Sequence, residues 1–92
     1  MALKRKSKPW KVVFLTAGGP LPEKPFTSEK AVYTAVNHER EQVRDEISRV
    51  SRAVVYQWDR AQGRWMVFER HDLKAEAAAL PPKQVETGGG ES

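Results

Sequence analysis

Along residues 9–17, PWKVVFLTA, apolar side chains fall on both sides of an extended chain. Trp10, Val12 and Phe14 share one side, Val13 and Leu15 the other. The segment is rich in β-branched and aromatic residues, so a strand is predicted. The pattern then stops. Residues 18–26, GGPLPEKPF, hold two glycines and three prolines and read as a connecting loop. From Ser28 onward the period lengthens. Ala31, Val32, Ala35, Val36, Val43 and Ile47 recur at spacings near three and four, the stripe of an amphipathic helix. Thr27 or Ser28 can cap it, and Glu29 suits its first turn. The stripe is broken at residues 37–41, NHERE. A helix of about 20 residues would reach about 30 Å, longer than short strands need, so its end is expected between Arg44 and Arg49.

Residues 54–70, VVYQWDRAQGRWMVFER, read as a hairpin. Its first strand runs from about Ala53 to Trp58 and its second from about Arg64 to Arg70. DRAQG makes the turn, with Gly63 at a positive φ angle. Pairing Asp59 with Arg64 sets Trp58 opposite Trp65 and Tyr56 opposite Val67 on one face. The other face then carries Gln57 against Met66 and Val55 against Phe68. A slip of one residue would exchange the faces. LKAEAAALPP predicts one or two helical turns, stopped by Pro81 and Pro82. KQVETGGGES reads as a disordered tail.

The predicted class is α+β in the order β-α-β-β: a three-stranded, mainly antiparallel sheet with one long helix packed on one face and disordered termini. The expected divisions are a flexible basic arm at 1–8, one domain at 9–73, and a short helix and tail at 74–92. A wholly antiparallel sheet, with the first strand beside the third, is preferred. Placing the first strand beside the second would make a right-handed parallel crossover.

The hairpin is apolar on both faces, but a single helix covers only one. The second face could be covered by the C-terminal segment, by a second copy, or by another protein. Alternatively, Tyr56, Trp58 and Trp65 form the helix-facing core, and the opposite face is only modestly apolar.

Charge adds one refinement. The chain of 92 residues carries 16 basic and 12 acidic side chains. Lys4, Arg5, Lys6, Lys8 and Lys11 stand in the first eleven residues without an acid, leaving 11 basic against 12 acidic elsewhere. The positive excess therefore belongs to the N-terminal arm and not to the folded body. An arm of this kind can contact nucleic-acid phosphates, and an aromatic sheet face can stack unpaired bases.

Other chemistry is thinly represented. Cysteine is absent, which removes disulfides and thiolate metal sites. His38 and His71 lack ligand spacing and read as solvated surface residues. The carboxylates of the helix read as ion-pair partners of Arg40, Arg44 and Arg49 at helical spacing. TAGGP lacks the helix start and the lysine that a phosphate loop needs. No catalytic residue, cofactor or metal is expected. No apolar run reaches the length of a membrane span, and no signal peptide is evident, so a cytoplasmic protein is expected.

The Trp-led first strand (PWKVVFLTAGGP), the Ser-initiated helix with an alanine stripe (SEKAVYTAV) and the Gly-Arg-Trp exit of the hairpin turn (QWDRAQGRW) resemble small accessory proteins of actinobacterial phages. The resemblance spans about residues 9–71. It implies a phage-encoded accessory protein in the cytoplasm of a host cell, and it transfers no functional residue.

The expected function is a small non-enzymatic binding module. It contacts a host protein, or itself as a homodimer, through Tyr56, Trp58, Trp65 and Val67. Nucleic-acid binding through Lys4, Arg5, Lys6, Lys8 and Lys11 is the alternative, and a minor phage structural or assembly role is a third.

Overall fold

The computed structural model describes residues 8–81. The tail and most of the arm, including Lys4, Arg5 and Lys6, lie outside them. The chain order is β1 (Trp10–Thr16), β2 (Gly19–Pro20), β3 (Lys24–Phe26), α1 (Glu29–Arg44), β4 (Val50–Asp59), β5 (Arg64–Asp72) and α2 (Leu73–Ala79). The class is α+β, as the sequence predicts, but the sheet has five strands and not three. Its order is β2-β1-β4-β5, with β3 also paired to β1, and every pairing is antiparallel.

The extra strands come from the segment read as a loop. The chain turns back at Ala17 and Gly18, where Thr16 Oγ1 donates to the Gly19 carbonyl at 2.9 Å and accepts from the Gly18 N–H at 3.1 Å. Gly19 has φ 121°, a conformation that L side chains rarely adopt. The returning chain then runs along β1 in two pieces, setting Leu15 opposite Pro20 and Trp10 opposite Phe26. Prolines tolerate this position because an edge strand leaves one row of N–H groups unpaired.

This reversal also overturns the expected strand order. After it, α1 starts beside the beginning of β1 and climbs back toward its end. β4 therefore descends antiparallel to β1, with Val50 opposite Thr16 and Gln57 opposite Trp10. The first long strand thus lies beside the second, without a parallel crossover.

Ser28 caps α1, its side chain accepting from the Ala31 N–H at 3.1 Å. The helix stops at Arg44, at the near end of the expected range. The N–H of Ile47 donates to the Gln42 carbonyl at 2.8 Å and that of Glu46 to the Val43 carbonyl at 3.1 Å. Glu46 holds the left-handed conformation, φ 62°, that this double closure requires.

The core lies between the sheet and the two helices. Trp10, Val12, Phe14, Ala53 and Val55 from the sheet are buried against Val32 and Val36 of α1 and Leu73 of α2. The expected partition of β1 holds, since Trp10, Val12 and Phe14 are the buried side. The C-terminal segment does form a short helix, capped by Asp72, whose carboxylate accepts from the Ala75 N–H at 3.1 Å. It packs beside α1, so both helices lie on the same face of the sheet. No helix among the described residues is long and apolar enough to cross a membrane.

Candidate functional site: the open face of the sheet

The hairpin fixes which residues reach the face opposite the helices. At its tip, Asp59 Oδ1 accepts from the N–H groups of Ala61 and Gln62 at 2.9 and 3.2 Å, and the Gly63 N–H donates to the Asp59 carbonyl at 2.7 Å. Gly63 has φ 64°, as expected from the sequence. The closed turn sets the register Asp59–Arg64, Trp58–Trp65, Gln57–Met66 and Tyr56–Val67, also as expected.

The expected pairing of Val55 with Phe68 does not form. The register shifts between Val55 and Tyr56, and Val55 pairs with Glu69. Phe68 is the extra residue of a β-bulge. Its ring meets Trp10 edge to face at 4.9 Å. Trp10 is buried, so this contact seats the Phe68 ring against the edge of the core.

Val55 and Ala53 point toward the helices, so Val54, Tyr56 and Trp58 point away from them, with Trp65 and Val67 beside them. Tyr56, Trp58 and Trp65 are therefore not the helix-facing core. The C-terminal helix does not cover them either, because it packs on the other side.

Across the open face, Val13 lies opposite Val54 and Val54 opposite Arg70, while Leu15 lies opposite Arg52. Trp58 and Trp65 meet edge to face, with centroids 5.3 Å apart and an interplanar angle of 74°. No residue of this set is fully buried, and no helix among the described residues packs on it.

Lys11 corrects one expectation. It is part of β1, opposite Tyr56, and not part of a basic arm. Its ammonium lies 4.5 Å from the Trp65 ring centroid and 5.1 Å from that of Tyr56, and it pairs with Glu23 at 3.2 Å. Only 14% of the side chain is exposed. Lys8 is exposed and stands two residues before β1. Of the expected basic residues, Lys11 lies over two aromatic rings on the sheet and Lys8 precedes the sheet, while Lys4, Arg5 and Lys6 fall outside the described residues.

A second constellation lies on the covered side, and sequence reasoning missed it. His71 is not a freely solvated residue. Its Nε2 is 3.0 Å from Glu69 Oε1, its Nδ1 is 3.1 Å from Glu76 Oε2, and its side chain is only 16% exposed. Tyr33 donates to the same Glu69 oxygen at 3.0 Å. Arg40 reaches Glu76 with Nη2 at 2.8 Å and Nε at 2.9 Å, so its carboxylate partner is on α2, while on its own helix it donates to Asn37 Oδ1. Burial, reinforced by the hydrogen bond to Glu69 and the charge of that carboxylate, pushes the Tyr33 phenol up to about 12. The network ties α1, β5 and α2 together. The available signal was that Glu69 and His71 alternate on one strand, while Glu76 falls in the first turn of the helix that follows.

A cleft of about 700 Å³ opens where α1 ends, lined by Arg44, Arg49, Lys74 and Leu80 among others. Arg44 is held there by Asp45 at 3.0 Å, a hydrogen bond that raises its pKa, and by the Pro81 carbonyl at 3.3 Å. His38 is exposed on α1. Among the described residues no group of three or more His, Asp or Glu side chains could hold a metal ion.

No family model, curated protein or solved structure matches the chain. The resemblance to actinobacterial phage proteins has no counterpart in these comparisons.

Proposed function

We propose that the chain is a binding module whose open sheet face docks a protein partner. The observation that carries this reading is the position of Lys11. Its ammonium already lies over the rings of Trp65 and Tyr56. An unpaired nucleic-acid base stacks on such rings and would have to displace both the lysine and its pairing with Glu23. A flat apolar protein surface has no such requirement. It can cover Val13, Val54 and Val67 while Lys11 stays in place.

Arg52 and Arg70 border the apolar strip, are exposed, and have no ion-pair partner among the described residues. They favour a partner with carboxylates around its own apolar patch, since complementary charge sets orientation and association rate. Val54 and Val67 belong to the apolar centre of the contact, and Arg52 and Arg70 to its rim.

The test is affinity capture with the full chain, after nuclease treatment, beside a Val54→Glu variant and a Lys30→Glu control on the exposed side of α1. The reading expects a protein retained by the wild type and by the control, lost with Val54→Glu, and weakened by Arg52→Glu. Circular dichroism must be unchanged in all three variants. Equal retention by Val54→Glu, or capture that nuclease abolishes, would refute it.

A further inference from the structure

The sheet ends differently on its two sides. On the β1 side the last strands are two and three residues long, and residues 19–26 contain Pro20, Pro22 and Pro25. Proline has no N–H to offer, and short broken strands make poor templates, so this edge resists pairing with another chain. On the other side β5 runs nine residues without a proline. No described strand pairs with its outer edge. Met66, Val67 and Phe68 are consecutive on it and 37%, 41% and 41% exposed. The bulge at Phe68 divides this edge and polar residues follow it, but its unpaired apolar stretch at residues 65–68 is of the kind that proteins ordinarily cover or pair.

We infer that β5 is a self-pairing edge: two copies of the chain join by antiparallel β5–β5 hydrogen bonding about a two-fold axis. Closure supports a second copy as the occupant. An isologous edge pair uses both β5 edges at once, and the combined sheet then ends on a proline-broken edge at each side, with nothing left to extend it. Charge supports the antiparallel sense. The strand begins at Arg64, whose guanidinium has no partner among the described residues, and ends at Asp72. Antiparallel pairing brings the Arg64 end of each copy toward the Asp72 end of the other, whereas parallel pairing would set like ends together. The aromatic face is perpendicular to this edge and stays open in the pair, so the inference does not rest on what docks there.

Two measurements on the full chain test it. Light scattering over a dilution series expects twice the chain mass at high concentration. Amide hydrogen exchange expects the N–H groups of residues 64–72 that point away from β4 to become protected as the dimer forms. Arg64→Glu places like charge at both ends of the pair and is expected to raise the dimer dissociation constant about tenfold. Val54→Glu, on the open face, is expected to leave it unchanged. A monomer at every concentration, whose outward β5 amides exchange as fast as those of a loop, overturns the inference. So does a dimer weakened by Val54→Glu and indifferent to Arg64→Glu, since that dimer would be using the open face.

Discussion

The two faces of the sheet are built from similar residues and have different fates. One presents Trp10, Val12, Phe14 and Val55 to the helices, and all four are buried. The other presents Val13, Val54, Tyr56, Trp58 and Trp65, and none is fully buried. Hydrophobicity alone does not separate the two sets. What separates them is that α1 and α2, the two helices among the described residues, both pack on the same side. A domain of this size has little apolar surface to leave idle.

The largest test of that contrast is a pair of truncations. Phe14→Ala opens a cavity in the covered face and is expected to lower unfolding free energy by about 3–5 kcal/mol. Val54→Ala on the open face is expected to cost about 1 kcal/mol or less. Urea denaturation measures both, and equal losses would mean that the two faces are equally packed. A smaller effect is expected at the rim of the covered face. Glu76→Gln weakens the links to Arg40 and His71 and, because the groups are partly solvated, should cost about 1 kcal/mol. Faster hydrogen exchange confined to α2 would locate that loss.

The finest probe uses the two tyrosines, one on each side of the sheet. Tyr33 keeps its proton until about pH 12, against an ordinary value of 10. Above pH 10 the unfolded chain ionises this phenol while the folded chain retains the proton. Unfolding then releases a proton, and the stability from this group, complete below pH 10, is lost as pH rises toward 12. Absorbance titration should show one phenol ionising near 12, and Tyr33→Phe should remove that phase. If the late phase survives in Tyr33→Phe, the link to Glu69 does not hold.

Much of this was legible in the chain. The strand at Trp10, the cap at Ser28, the helix stop, the positive φ of Gly63 and four hairpin pairs follow from local rules of spacing and turn chemistry. The edge strands were not legible, because three prolines signal a loop and an edge strand accepts them on grounds only the assembled sheet reveals. Strand order failed for the same reason, since one unrecognised reversal inverts the direction of everything after it. The aromatic residues of the candidate site were legible as a cluster, but not their side of the sheet. That depends on which face the second helix joins, and the contact of Leu73 with the core decides it. The place of Lys11 among the aromatics is likewise set by cross-strand register with β4, which sequence proximity to Lys8 obscures.

The bulge at Phe68 can be viewed as a change of phase. Without the extra residue, Glu69 would follow Val54 onto the open face, and Arg70 would lie over Ala53 beneath the helices. With it, Arg70 turns outward, while Glu69 and His71 turn inward to meet Tyr33 and Glu76. One residue thus works like a frameshift read in side-chain direction instead of codons. Upstream of it the odd-numbered Trp65 and Val67 face outward; downstream the odd-numbered Glu69 and His71 face the helices.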